Sequence, residues 1–336
     1  MDARELLPVL VDDGKYVLVN GAEEAGVSCL LANILNRPIS IVCFSQKILS
    51  SAPANILKLL DRTLKSGTPL LFLFSSGSTA DDNTSWCEVR KSIARLSGVC
   101  PLIALVSSDE DGYVRNLTPY MDFVVYTDGA HDQTVSCIQE SGTISAIEKL
   151  RTLLAYLPLN CAESAPLLQV TKYHSVKKTT TLSFSAMANA ISDPAGMLPL
   201  YTDLHVQIGF SRTGGRVIGV LACETGHFPA HAVRFINFCD CYSLPIMIVS
   251  EKPLILDPAQ SFAFARATTV LFCVGACGDN RELFDYVIGV NGLDCEACDC
   301  FCSIEDLHDI VAQTLELLHV KRDVLPPHKH SNFPII

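Results

Sequence analysis

The chain has 336 residues, of which 49% are hydrophobic and 18% charged, enough to bury the cores of two domains and too apolar for long disordered tracts. A net charge of −11 and a pI near 5.2 speak against a nucleic-acid surface, which needs a basic patch, and give no long-range attraction to an anionic ligand. The longest apolar runs, PLLFLFSS and LPIMIVSE, have the length of strands and fall far short of the roughly 20 residues of a membrane helix.

The opening MDARELLPVL carries two acids against one arginine and resembles neither a secretory signal nor an Arg-rich transit peptide. A DDG turn follows at Asp12–Gly14, then the strand pair VSCLLANILNRPISIVCFS, a hairpin whose turn is assigned to Asn36-Arg37-Pro38. Ile56, Leu57, Leu60 and Leu64 give the next segment one apolar face at helical spacing. A loop ending in Pro69 leads to the strand LLFLF, the turn SSGSTADDN and a further strand, CPLIALVSS. Past that strand the chain places Asp109, Glu110, Asp111 and Gly112, then MDFVVY and the helix SAIEKLRTLLAYLP.

The second half repeats this order. SDPAG at Ser192–Gly196 answers the DDG turn, and LHVQIGFSRTGGRVIGVLAC answers the hairpin, with Thr213-Gly214-Gly215 as its turn. Val233, Ile236 and Phe238 begin the apolar face of the following helix; TVLFCVGAC, FDYVIG and IEDLHDIVAQTLELLHVKR complete the series. Gly14 and Gly196 lie 182 apart, Pro69 and Pro245 176, and Asp122 and Asp285 163, so the second copy is the shorter one. Strands alternating with helices imply α/β layering with mostly parallel pairing, in two domains, residues 1–165 and 166–336.

Fifteen cysteines raise the question of zinc or disulfides, and the densest group is Cys295, Cys298, Cys300 and Cys302. A zinc half-site of the Cys-x-x-Cys type needs a second pair, for which Cys273 and Cys277 are the candidates. Cys298, Cys300 and Cys302 alternate, which on a strand would line one face, and packing thiols in a reducing compartment are the favoured reading.

The run GFSRTGGRVIGVLA…AVRFINFCDCYSLPIMIV resembles the C-terminal domain of the acyl-CoA carboxylase carboxyltransferase β subunits, the propionyl-CoA carboxylase type above all. LELLHVKRDVLPPHKHSNFPII is similar to that family's ending, and ARELLPVLVDDGKYVLV, LKSGTPLLFLFSSGS and RLSGVCPLIALVSSDEDGYVRNLTPYMDFVVY follow in the family's order, so the likeness covers Ala3 to Ile336. It implies two tandem crotonase-like domains, each a spiral of β-β-α units, here truncated. It also implies transfer of a carboxyl group from carboxybiotin to an acyl-CoA. Two enolate-like oxygens form in that reaction, each held by paired backbone amides of a glycine-rich turn.

At those turns the chain departs from the family. Gly77 keeps its place but Ser78 replaces a second glycine, and Ala80 stands where an arginine is expected. Gly112 is followed by Tyr113, for which a left-handed conformation would cost about 1–2 kcal/mol. Gly275 and Gly278 are separated, and the loop and helix after SEKPLILDP, with the insert before the final helix, are expected to be shortened. The positions Gly77, Ser78, Gly112, Tyr113, Gly275 and Gly278 are therefore read as a degenerate oxyanion site, with no catalytic residue, cofactor or metal.

Two enzymatic readings compete with this one. The first is a surviving thioester cradle at Ser75, Ser76 and Gly77 or at Gly275–Gly278. The second is a hydrolase using Ser76 or Ser78 with His227 or His231, although no Gly-x-Ser-x-Gly elbow is present. Arg234 and Asp240 are expected to set helix packing or subunit contacts, and His328–Lys329–His330 to be a packed tail. The expected protein is a non-catalytic accessory subunit, paired with a carboxyltransferase-like paralogue or with the subunits of a large complex such as a respiratory complex. Its expected place is mitochondrial, otherwise cytoplasmic; the alternative is a regulatory or active β subunit of a biotin-dependent carboxylase.

Overall fold

The computed structural model describes residues 3–19, 26–45, 47–75, 79–80, 86–107, 112–127, 134–168, 182–295 and 297–322. They form two compact units that divide between Ser164 and Ala165.

In the first unit α1 (Leu7–Leu10) precedes β1 (Tyr16–Leu18), β2 (Val27–Ile34), β3 (Arg37–Phe44), β4 (Lys47–Ile48), α2 (Ala52–Ser66), β5 (Leu70–Phe74) and β6 (Thr79–Ala80). Then come α3 (Cys87–Leu96), β7 (Leu102–Val106), α4 (Gly112–Leu117), β8 (Phe123–Tyr126), β9 (Cys137–Gln139) and α5 (Thr143–Tyr156). Seven strands make one sheet in the order β1-β2-β3-β5-β7-β8-β9, while β4 and β6 pair separately. Pairing is antiparallel among β1, β2 and β3 and parallel from β3 onward.

The second unit contains α6 (Phe184–Ile191), β10 (Leu198–Thr202), β11 (Val206–Thr213), β12 (Arg216–Cys223), α7 (Ala232–Cys241), β13 (Ile246–Ser250) and α8 (Pro258–Arg266). It ends with β14 (Leu271–Gly275), β15 (Tyr286–Val290), β16 (Cys300–Cys302) and α9 (Leu307–Arg322). Its seven strands run in order from β10 to β16, with the same switch from antiparallel to parallel after the hairpin. The repeat seen in the sequence is thus a repeat of topology.

The central strands β5, β7, β8, β13 and β14 are buried along their whole lengths, as parallel strands covered on both faces must be. One core lies against α2 and α3 and joins Ile56, Leu59 and Leu60 to Phe72, Ala104 and Val124. The other joins Met187 and Ile191 of α6 and Leu307, Val311 and Leu315 of α9 to Val220, Val249 and Val274. On α2 the buried stripe is Asn55, Ile56, Leu59, Leu60 and Thr63; Leu57 and Leu64 sit half-buried at its margin. The helix stops at Gly67, whose φ of 66° lets its amide return to Thr63 O at 2.8 Å.

The first hairpin turn is not Asn36-Arg37-Pro38. Ile34 pairs with Arg37 and Asn33 with Pro38, so the turn is Leu35-Asn36, with φ values of 57° and 58°. Pro38 is tolerated in the strand because it occupies a non-hydrogen-bonded pair with β2, and β5 joins β3 only from Ser40 onward. In the second copy the turn is Gly214-Gly215, at φ 58° and 78°. Two residues at positive φ make the tight turn that matches strand twist.

Each turn is fastened by a carboxylate from the segment that precedes the sheet. Asp12 accepts the amides of Leu35 at 3.1 Å and Asn36 at 2.6 Å; Asp193 accepts those of Gly214 at 2.9 Å and Gly215 at 2.8 Å. The last helix of each unit then brings a cation. Arg151 of α5 lies 3.2 Å from Asp12 and also bonds Leu10 O, and His308 of α9 places Nε2 2.9 Å from Asp193. Burial pushes both carboxyls up, but the turn amides and the cation outweigh it, so both lie below their ordinary range. The bond to Asp193 raises His308, against burial, which lowers it; Asp309, 3.3 Å from Nδ1, raises it further.

A second repeated aspartate ties neighbouring strands. Asp122 accepts Leu102 N at 2.9 Å and Asp285 accepts Leu271 N at 2.8 Å, at the starts of β7 and β14.

Two predictions follow from these turns. A Cβ at Gly215 would sit 1.9 Å from Leu168 O in a backbone region that side chains resist. Gly215→Ala should therefore cost at least about 2 kcal/mol in urea unfolding, while Asn36→Gly stays within about 1 kcal/mol of the parent. Protonated His308 stabilises the second unit fully below pH 6.5, and that share is lost as pH rises through its raised value. The Asp193 share is full above pH 3.8 and lost as pH falls through its lowered value. The second unit should thus weaken above neutral pH. His308→Gln should flatten that alkaline loss and lower stability near pH 6 by about 1–3 kcal/mol, read by urea midpoints across pH.

Candidate functional site

Open parallel sheets bind ligands beyond the carboxyl ends of their strands, and the glycine turns lie there. In the second unit β12, β13 and β14 end at Cys223, Ser250 and Gly275, which are in register across the sheet. Gly275 has φ 93° and lies so close to Ser250 O that a Cβ would come within 2.2 Å of it. The next amide, Ala276 N, donates to Ser250 O at 3.0 Å and is therefore committed to the neighbouring strand. Gly278, at φ 57°, opens a 3-10 turn, Gly278–Leu283. The two glycines belong to different local structures.

Above these strand ends runs the segment Glu251–Asp257, pinned from both sides. Ser250 Oγ donates to Lys252 O at 2.6 Å, Ile255 N to Gly226 O at 2.9 Å, and Asn280 Nδ2 to Leu254 O at 2.7 Å. Cβ atoms added at Gly226 and Gly278 would come within 2.2 Å and 2.9 Å of Pro253 atoms, so both glycines are there to let this strap pass. Leu254 is 4% exposed and fills the space beneath. The strap continues into α8, whose capping box joins Asp257 and Gln260, and Gln260 Nε2 donates to Phe228 O at 3.0 Å. A nine-residue helix therefore does follow SEKPLILDP.

In the first unit Gly112 and Tyr113 open α4, a right-handed helix, so the left-handed strain expected for Tyr113 does not arise. Gly77 and Ser78, together with Ser76, Asp109, Glu110 and Asp111, lie outside the described residues, as does the His328–Lys329–His330 tail. Ser75 is 3% exposed; its hydroxyl donates to Phe44 O at 2.6 Å and accepts Ala3 N at 2.8 Å, a structural use. Of the two histidines considered for a hydrolase, His227 is exposed. His231 precedes α7, meets the Tyr201 ring edge-on at 4.6 Å, and is lowered in pKa by burial.

Asp240 has the packing role expected of it. It is 2% exposed and accepts Thr268 N at 2.7 Å and Thr269 N at 2.9 Å, which fixes α7 to the connection after α8. Of the alternating cysteines, Cys300 and Cys302 share β16 and pack on the core, whereas Cys298 precedes the strand. A cavity of about 460 Å³ is lined by Lys15, Tyr16, Leu31, Pro38, Arg62 and Thr68, and one of about 360 Å³ by Thr213, Gly214, Arg216, Asp309 and Gln313. Neither is lined by Gly112, Tyr113, Gly275 or Gly278.

Sequence reasoning missed Asp12, Asp193, Arg151, His308 and the strap. The two aspartates stand in the turns that the halves share, 181 apart where Gly14 and Gly196 are 182 apart, so the alignment of the turns did not single them out.

No family model matches the chain. Over 286 residues it is 23% identical to the biotin-dependent acetyl-/propionyl-coenzyme A carboxylase beta5 subunit of Mycobacterium tuberculosis, covering 66% of this chain and 52% of that protein. Over 297 residues it is 22% identical to the methylmalonyl-CoA carboxyltransferase 12S subunit of Propionibacterium freudenreichii subsp. shermanii, covering 70% and 56%. The chain spans about half the length of the curated relatives it matches. Among solved structures, transcarboxylase 12S with methylmalonyl-coenzyme A and methylmalonic acid bound superposes with a TM-score of 0.80 at 17% identity, over 99% of this chain and 93% of that one. A single-chain, multi-domain long-chain acyl-CoA carboxylase gives a TM-score of 0.65 at 12% identity, over 93% of this chain and 45% of that one. The fold is that of the crotonase-like carboxyltransferases, and in sequence the chain is similar to acyl-CoA carboxylase β subunits and to transcarboxylase 12S.

Proposed function

We propose that this chain is a catalytically inactive carboxyltransferase-like protein that serves as a structural or accessory subunit of a larger mitochondrial assembly. The observation that carries this reading is the state of the second unit's strand ends. The amide after Gly275 is spent on Ser250 O, and Pro253 and the buried Leu254 pack against the glycines at these strand ends. Loss of one oxyanion donor ordinarily costs about 10²–10³ in rate. The separation of Gly275 from Gly278 acts in the same direction.

The scaffold itself remains, with two sheets, two buried cores and a repeated set of aspartates that bind backbone amides. The 12S relative is described as a hexamer within a multienzyme core. A chain that keeps such a scaffold keeps the means to sit beside related subunits, because fold and activity are separable. No described helix is long and apolar enough to cross a membrane.

Two experiments test this. The purified full chain, offered propionyl-CoA or methylmalonyl-CoA in native mass spectrometry, should show no bound thioester and should move no carboxyl group from carboxybiotin; binding or turnover of either would overturn the inactive assignment. Affinity purification of the native assembly from isolated mitochondria should bring down subunits with no biotin carboxylase or biotinylated chain among them. Recovery of those chains would instead make this a β-type subunit of a carboxylase, the alternative that its relatives support.

A further inference from the structure

The turn that carries Gly275 and Gly278 also carries a group of thiols. Cys277 lies between the two glycines, 2% exposed, and Cys295, 8% exposed, comes from the connection between β15 and β16. Because β14, β15 and β16 are parallel neighbours, these connections run side by side. Cys277 Sγ donates to Gly278 O at 3.6 Å, within its own turn. Cys298 Sγ also donates to Cys295 O at 3.8 Å. The sheet makes room for this arrangement at Gly289, where a Cβ would come within 2.9 Å of Cys298 Sγ. The cysteines are all free thiols in this structure, and no group of three ligands among the described residues is disposed to hold a metal ion. The contact that joins two of these thiols is the one from Cys298 Sγ to Cys295 O.

We propose that Cys295 and Cys298 form an oxidative modification site, a dithiol that closes to an intramolecular disulfide on exposure to a hydroperoxide. Cys298 is the more accessible of the two, whereas burial pushes the Cys295 thiol up to about 12. Cys298 therefore meets the oxidant. Its thiolate attacks the peroxide O–O bond, gives a sulfenic acid and releases water or an alcohol. Cys295 sulfur then attacks the sulfenic sulfur, the S–S bond forms, and the departing hydroxide leaves as water with the thiol proton. Two thiols are oxidised and one hydroperoxide is reduced. A Cys-x-x-Cys spacing is one that a disulfide can close, and the product ties part of the β15–β16 connection into a small loop. Cys277, the other neighbour of Cys295, is buried beneath the turn and stays reduced.

The test is graded hydrogen peroxide treatment of the full chain, acid quench, unfolding, alkylation and peptide mass spectrometry, with the exposed Cys87 as an accessible reference. Cys295 and Cys298 should lose alkylation together, in a peptide lighter by two hydrogens, and recover it with dithiothreitol. Cys298→Ser should leave Cys295 fully alkylated at the same dose. Oxidation of Cys87 while Cys295 and Cys298 remain alkylated would overturn the proposal, as would a Cys277–Cys295 link. Co-purifying zinc that shields these thiols from alkylation in the untreated protein would overturn it too.

Discussion

Two tight turns at positive φ hold this architecture in register, and each depends on a carboxylate that is not part of the sheet. Asp12 and Asp193 each receive two consecutive turn amides and are held in turn by the last helix of their unit, through Arg151 and His308. A carboxylate in this position does three things at once. It satisfies amides that the turn leaves without a ladder partner, it fixes the loop that leads into the sheet, and it draws the final helix against the hairpin. Removing it would leave a half-buried cation and two unpaired amides, which is why a polar contact of this kind is costly to lose even where its net contribution is modest. The first and last elements of each repeat are joined through the hairpin, so the fold closes on itself.

From that closure follows the orientation of everything else. The hairpin sets the direction of β3 and β12, the parallel strands follow, and their carboxyl ends gather on one edge. Transcarboxylase 12S, which shares this fold, is described with methylmalonyl-coenzyme A bound. Here the edge of the second unit is crossed by the strap Glu251–Asp257, and its glycines serve the strap. Gly226 and Gly278 make room for Pro253, and Gly275 makes room for Ser250 O. Glycine at a strand end is thus no sign of a ligand by itself. What decides is whether its neighbours leave the amides pointing into open space, and Ala276 N points at a carbonyl.

Much of the fold was legible because it is written twice. Helical spacing in Val233, Ile236 and Phe238 and unbroken apolar runs such as LIALV and IMIVS carry local information, and the repetition of their order removes most alternatives. The errors came where the answer depended on a distant residue. Asn36-Arg37-Pro38 reads as a turn because proline punctuates chains, yet the register is set by Asp12 binding Leu35 and Asn36, so Pro38 is drawn into the strand. Tyr113 was placed in left-handed backbone by likeness to a glycine, and the helix of α4 gives it ordinary geometry. The strap was invisible for the same reason. SEKPLILDP has the composition of any loop, and only contacts with Gly226 and Asn280 show that Leu254 is part of a core.

Comparing the two copies shows which features the physics compels. Asp122 and Asp285 cap the same strand start, Asp12 and Asp193 the same turn, and both pairs persist although little else of the local sequence agrees. Each accepts backbone amides at a turn or a strand start, so change at these places carries a cost in stability. The cation partner is freer, because arginine and histidine can each reach the carboxylate from the closing helix, and the two copies use one of each. The glycine turns are freer still. An oxyanion cradle stabilises a transition state and contributes little to the resting fold, so once it is not used its amides can be given to a neighbouring carbonyl and its pocket to a leucine with a gain in packing. A chain under selection only for shape would drift in that direction, keeping the carboxylates that bind its turns and strand starts and closing its strand ends.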